Sequence, residues 1–524
     1  MRGGEVSLRP SGVTGPGSAA PVAFVVLAAV LLGALLQFAR GNLPYTGLWY
    51  DEAVQFWISR GTDPFGPPGT PPGGVVAVVR TNGRANLDPG GFSLLLHGWT
   101  RFGQDIVWLR ALPFGFLLAG LGALARLGWL WRPSLAFALF SAAVPLAYPL
   151  LLDHATEVRA YSMEFAGVTI ACLLIQRLGP EASVRRFAVS GAALGFFMGS
   201  RYSYAIFVGA VGLALGPTLL CRRAGDGDAR LRRCLALALP LVVSVAIVLV
   251  LGLGRQRGRL NYQGGAMIRY LEPATAAGKT IEQLGWALAR NLLSPAALPL
   301  TLAALVAVGS RRWHERWTLG VGAAPASGMV VCRLALGVLV LSAGLWWWHP
   351  WDVGQKWSLY LHALSAVVVV RLVADVLGWL ESRADPGRPA HVAWTVVAVI
   401  AIGALSVNAS VHRRVHANDL TAALRHLDGL SLADGSVAVR PHPYPVLRYL
   451  YEHGPFAGRP HYPGAFRLPH RNGPKPLIGP ATRYLIAYER LAVLQAEYPG
   501  VRVLADPSWS PNLYGVAPRT ADAP

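Results

Sequence analysis

The sequence predicts an α-helical polytopic membrane protein of about 11 transmembrane helices with a small C-terminal extracytoplasmic α/β domain. Three observations lead there. Of 524 residues, 53% are hydrophobic and only 14% charged, with a mean hydropathy of +0.40, whereas a soluble domain carries about a quarter charged residues. The apolar residues gather in runs near the ~20 residues that a hydrocarbon core requires. The arginines concentrate in alternate gaps between those runs, an asymmetry typical of cytoplasmic loops.

The runs lie at about 21–39, 111–130, 134–152, 162–176, 187–200, 203–220, 235–254, 294–309, 334–348, 358–379 and 391–410. The first contains no charge and ends in Phe38-Ala39-Arg40-Gly41 without a small-x-small cleavage pattern, so it reads as a retained anchor. With the N-terminus inside, the cytoplasmic gaps hold Arg132, then Arg177, Arg185 and Arg186, then Arg222, Arg223, Arg230, Arg232 and Arg233. Later ones hold Arg311, Arg312 and Arg316, and finally Arg383 and Arg388. The outer gaps are short and nearly bare. Only 255–293, with Arg255, Arg257, Arg259, Arg269, Lys279 and Arg290, departs from the pattern, and it is long enough to be translocated regardless of charge. The apolar stretch from Gly91 to Phe102 would reach only about 18 Å as a helix. Counting it as a span would invert every later loop, so it is expected to lie at the outer leaflet as an interfacial helix.

The net charge of +20 raises the possibility of nucleic acid. Its arginines sit in short loops, where they set topology, and build no basic stripe beside stacking aromatics, so nucleic acid is excluded as a partner. Cys172, Cys221, Cys234 and Cys332 lie in apolar runs or cytoplasmic loops, without disulfide or metal-ligand spacing.

The transmembrane domain spans 1–410, with its first outer loop at about 40–110, and a second domain covers 411–524. There the texture changes: short β-rich runs at 436–440, 484–488 and 501–504 alternate with helix-like segments at 419–428, 444–453 and 489–497. An odd number of spans puts this domain outside.

The residues able to carry chemistry cluster in the outer gaps. Directly after the first span, Asp51 and Glu52 stand among Trp49, Tyr50, Phe56 and Trp57. An anionic pair beside a membrane needs pairing or hydration, and therefore a reason; the plainer alternative is that Asp51 caps a helix and Glu52 supports its first turn. Asp88 opens the break Asp88-Pro89-Gly90 before the interfacial helix. Another outer gap carries Asp153, His154, Glu157, Arg159 and Tyr161, where Glu157 and Arg159 could equally form an exposed salt bridge of little worth. Arg201 and Lys356 are isolated cations in further outer gaps. They suit an anionic ligand, phosphate above all, or snorkelling to headgroups. The signatures of P-loop, dinucleotide-binding, zincin and serine-hydrolase sites are missing from the sequence.

Taken in order, these pieces resemble a family. The Asp51-Glu52 pair, the Pro89 break, the segment Arg110-Ala111-Leu112-Pro113, the Glu157-x-Arg159-x-Tyr161 element and the basic-aromatic Lys356-Trp357 before a late span look like the GT-C superfamily of polyprenyl-phosphate-sugar-dependent glycosyltransferases. The nearest resemblance is to bacterial relatives of protein O-mannosyltransferases (the family 39 type) and of lipid A aminoarabinose transferases. It covers about 20–370 loosely and about 40–165 best. Family members often carry His-Pro-Pro or Lys-Pro-Pro where this chain has Asp88-Pro89-Gly90, and Arg-Tyr where it has Lys356-Trp357.

The resemblance implies an inverting transfer from a polyprenyl-phosphate sugar to a lipid, glycan or protein acceptor at the outer face of the plasma (inner) membrane. Asp51 would be the general base, and Glu52 would orient it or help hold a divalent cation. Arg159, Tyr161, Arg201 and Lys356 would bind the donor phosphate, with Asp88 and Glu157 in the acceptor or structural loop. Rival classes are a transporter of lipid-linked sugars, which calls for broken or charged helices at mid-membrane, and a non-catalytic envelope scaffold, which makes no use of Asp51.

Overall fold

The computed structural model describes residues 19–45, 48–86, 88–178, 182–220, 227–250, 288–309, 327–348, 359–383, 390–413, 419–460, 462–467, 478, 480–506 and 510–518. Each apolar run carries helix: α1 (Ala19–Asn42), α5 (Ile106–Trp131), α6 (Leu135–Ala143), α7 (Pro149–Asp153), α8 (Tyr161–Ile175), α9 (Val184–Met198), α10 (Tyr204–Leu220) and α11 (Gly227–Val248). They continue as α12 (Leu298–Gly309), α13 (Ser327–Trp348), α14 (Leu359–Arg383) and α15 (Ala390–Val411). Among the described residues, four helices are long and apolar enough to cross a membrane: Phe24–Asn42, Ile106–Trp131, Asp228–Val248 and Leu359–Glu381. The chain is an integral membrane protein.

One expected span is broken. The run 134–152 forms α6, a 3-10 turn at Val144–Ala147 and then α7. Pro145 and Pro149 lack the N–H that a continuous helix would use, and each opens the element in which it lies. The basic stretch from 255 lies outside the described residues as far as 287, and so do Cys221 and Lys356. Cys172, Cys234 and Cys332 are free thiols.

Helix pairs pack through small residues. A Cβ on Gly120 of α5 would lie 2.3 Å from the Phe165 ring of α8, and one on Gly191 of α9 would lie 2.2 Å from the Leu237 carbonyl oxygen of α11. Without a hydrophobic driving force between helices in lipid, such close approach is what holds them together.

Between α1 and α5 the connecting loop folds into α2 (Tyr50–Ser59), α3 (Val75–Ala85) and α4 (Gly91–Trp99). The expected interfacial helix is α4, which stops at Trp99. A buried polar chain ties the three together: Gln55 Nε2 donates to Ser93 Oγ (2.7 Å), Ser93 Oγ to Asn82 Oδ1 (2.8 Å) and Asn82 Nδ2 to the Asp88 carbonyl (3.0 Å). Gly90 has φ 97°, and a Cβ there would meet Asn82 Nδ2 at 2.8 Å, so glycine is required at this turn.

After α15 come α16 (Thr421–Asp428), β1 (Val437–Val439), α17 (Tyr444–Glu452), β2 (Phe466–Arg467), β3 (Tyr484–Ile486), α18 (Leu491–Glu497), β4 (Val501–Ala505) and β5 (Leu513–Pro518). The strands form one sheet in the order β2-β1-β3-β5-β4, with β2-β1-β3 parallel and β3-β5-β4 antiparallel. The short β2 and the Gly- and Pro-containing β5 carry no alternation that the sequence pattern could reveal. This unit is pressed by α17 onto the loop between α1 and α5. Trp57 Nε1 donates to the Pro445 carbonyl (3.0 Å), Tyr449 Oη to that of Gln104 (3.1 Å) and Tyr444 Oη to that of Gly66 (2.7 Å). The fully buried Arg448 guanidinium stacks 3.8 Å from the Trp57 ring centroid and donates to the Asp63 carbonyl (3.0 Å).

Candidate functional site

Asp51 and Glu52 are adjacent in sequence and differ completely in surroundings. Both lie in the first turn of α2, whose N-cap is Trp49, so Asp51 does not hold the capping position. Glu52 is the residue whose side chain reaches back to the helix start, accepting the Trp49 backbone N–H at 3.3 Å. Its other oxygen accepts the Val158 backbone N–H at 3.0 Å. The guanidinium of Arg110, from the N-terminal end of α5, lies 3.3 Å from Glu52, and neither side chain is exposed at all. Arg110 also donates to the carbonyls of Asn42 and Tyr45 at the end of α1. Glu52 thus joins α1, α2, α5 and the loop before α8. With its oxygens so engaged, it does not fit the part of a metal ligand. Among the described residues, no group of three His, Cys, Asp or Glu side chains is placed to hold a metal ion.

Asp51 keeps a side-chain exposure of 25% and sits 3.5 Å from Arg159. Arg159 also pairs with Asp88 at 3.0 Å. Burial alone would favour the neutral guanidine, but Asp51 and Asp88 outweigh it and raise the Arg159 pKa. Tyr161 follows, and two cations lie against its ring: the Arg201 guanidinium 4.3 Å from its centroid and that of Arg159 5.9 Å away. Burial likewise works against the charge of Arg201, while the Tyr161 oxygen, Asp88 and Glu164 more than restore it. The loops meet because Gly91 donates its backbone N–H to the Gly199 carbonyl at 2.9 Å, an approach that a Cβ on Gly91 would obstruct at 2.7 Å. Glu157 turns inward, accepting Trp49 Nε1 at 2.9 Å and pairing with His154. It does not pair with Arg159 as an exposed salt bridge.

The structure therefore gathers Asp51, Glu52, Asp88, Glu157, Arg159, Tyr161 and Arg201 from four separate segments. Lys356 lies outside the described residues. Two further members carry a signal that sequence can show. Arg110 is the one charge in the opening turns of an apolar helix, and Glu164 is the one acid within the run 162–176; an ionisable residue at such depth asks for a partner. Glu164 is buried, 3.7 Å from Arg201, and accepts Ser203 Oγ at 2.5 Å. Chemically, the arrangement offers one partly exposed carboxylate beside two buried guanidinium groups.

No family model and no curated protein matches the chain. Among solved structures, it is similar to ArnT from Cupriavidus metallidurans in the apo state, at 15% identity and a TM-score of 0.45, over 95% of this chain and 98% of that one. It is likewise similar to ArnT from the same organism bound to undecaprenyl phosphate, at 15% identity and a TM-score of 0.43, over 95% and 99%.

Proposed function

We propose that the chain is an inverting glycosyltransferase of GT-C type that moves a sugar from a polyprenyl-phosphate donor to a hydroxyl of an envelope acceptor on the outer face of the membrane. The observation that carries this reading is the partly exposed Asp51 carboxylate 3.5 Å from Arg159, with Arg159 and Arg201 set against the same Tyr161 ring. The acceptor oxygen attacks the anomeric carbon, the bond from that carbon to the phosphate oxygen breaks, and the hydroxyl proton passes to Asp51. The departing lipid phosphate gains one negative charge, which Arg159 and Arg201 neutralise; its low basicity removes any need for a general acid. Arg159 holds Asp51 and Asp88 before the donor arrives, and a phosphate that takes over this guanidinium releases Asp51 to act as base. Glu52, anchored by Arg110 and the Val158 N–H, fixes the first turn of α2 from which Asp51 projects.

Eleven crossings, with the N-terminus inside, would bring the C-terminal unit to the same face as α2. The packing of α17 on α2 supports that topology, because both sides of a contact lie on one face of the membrane. Binding of a polyprenyl monophosphate to the full chain in lipid nanodiscs tests the donor site. Arg159→Ala, Arg159→Lys and Arg201→Ala should each weaken binding by about tenfold or more, the scale of a charged hydrogen bond. Binding of the uncharged polyprenol should be unchanged. Equal affinity for the phosphate in all variants would refute the phosphate assignment.

A further inference from the structure

β1 and β3 lie side by side and parallel, and the chain leaves them in opposite directions: β1 continues through α17 to β2 on one flank, and β3 through α18 to β4 and β5 on the other. Where two such exits diverge, a crevice opens at the carboxyl ends of the strands, the usual place for a ligand in an open parallel sheet. Arg440 and His442 leave β1 there, and Glu489 follows β3. Arg440 sits 2.9 Å from Glu489 and also pairs with Glu497. His442 is held between Pro441 and Pro443, lies 3.8 Å from Glu489 and is 62% exposed on its side chain. Its ring meets Tyr50 edge to face, with centroids 5.2 Å apart, and Tyr50 is the residue before Asp51. None of these groups takes part in the chemistry above.

We infer that this edge, built from Tyr50, His442 and Glu489, is a subsite for a neutral, hydroxyl-rich acceptor such as a sugar ring, which it presents to Asp51. The chemistry of the groups sets the class. An aromatic face takes the C–H face of a pyranose, a carboxylate accepts from hydroxyls through charge-assisted bonds, and an imidazole both donates and accepts. An anionic group is poorly served, since the charge of Arg440 is already taken up by Glu489 and Glu497, and Asp51 repels it at short range. Arg440 acts as a positioning residue that fixes Glu489. The presentation to Asp51 rests on the transferase reading, whereas binding at the edge does not.

Saturation-transfer NMR on the full chain in lipid nanodiscs, free of glycoside detergents, tests the subsite. The probes are methyl α-D-mannopyranoside, methyl β-D-glucopyranoside and the anionic methyl β-D-glucopyranosiduronate. The neutral glycosides should receive saturation more strongly than the uronate. His442→Ala and Glu489→Gln should each weaken their binding by about tenfold. Arg459→Ala, on the exposed Arg459–Asp428 pair of the same unit, should leave it unchanged with the same melting temperature. No saturation of either neutral glycoside, preference for the uronate, or full binding in both site variants would overturn the subsite. Because the measurement needs no donor and no turnover, a chain that binds neutral glycosides here and transfers no sugar refutes the transferase reading alone.

Discussion

Ion pairs occur at both ends of this helical bundle, and they are built differently. At the end that carries α2, Glu52–Arg110 and Asp88–Arg159 join segments far apart in sequence, and the Glu52–Arg110 pair is wholly buried. At the other end of α5, Arg132 pairs with Glu381 of α14, with side-chain exposures of 16% and 34%, and Arg371 pairs with Asp375 one turn along its own helix. Partly exposed or local pairs contribute about 0–1 kcal/mol, because water and salt screen them. A charge left alone in a buried pair costs about 3–5 kcal/mol. The network around α2 can therefore hold Asp51 at a fixed position, whereas the pairs at the other end can be lost with little effect.

The largest effect follows from breaking that contrast. Arg110→Met should lower unfolding stability by about 3–5 kcal/mol, whereas Arg132→Met should cost no more than about 1 kcal/mol. Combining Arg110→Met with Glu52→Leu should restore only part of the loss: the uncompensated charge is then gone, but the Trp49 and Val158 backbone N–H groups lose their acceptor. Thermal unfolding followed by Trp fluorescence in nanodiscs measures all three. Equal losses at the two ends would show that the network around α2 has no special structural weight.

A smaller effect sharpens the comparison at the other end of α2. His453 lies among Phe56, Trp57 and Tyr449. Burial, with Arg60 and Arg448 nearby, pushes its pKa down to about 4 from 6.5. The folded state thus favours the neutral ring. That contribution is intact above pH 6.5 and is lost as pH falls toward about 4, because the unfolded chain binds the proton first. His453→Phe removes the titration, so its melting temperature should gain on that of the wild type between pH 7 and pH 4.5. A constant difference would show that folding does not lower the His453 pKa.

Much of this architecture was legible in the sequence, and the gaps have physical causes. Each long apolar run becomes helix because spanning length and composition leave the backbone no other way to satisfy itself in lipid. The break at 134–152 was not legible by hydropathy, which scores Pro145 and Pro149 as mild residues although their missing donors decide the geometry. Asp51 and Glu52 stood out as a pair, but their division into one engaged and one accessible carboxylate depends on Arg110, which is 58 residues from Glu52 in sequence. No local pattern encodes that distance. Similarly, Arg440 and Glu489 meet only through the parallel pairing of β1 with β3.

The proposed transfer depends most on Asp51. Asp51→Asn keeps the size of the side chain, Glu52 still engages the start of α2 and Arg159 keeps Asp88 as a partner, so the protein should fold, with a melting temperature lowered only slightly. Release of polyprenyl phosphate from a polyprenyl-phosphate sugar should be measured in native envelope membranes, which supply the acceptor, at matched expression. Loss of a general base predicts turnover reduced by about 100-fold or more. Near-normal turnover by a stably folded Asp51→Asn protein would contradict the assignment of Asp51 as the base.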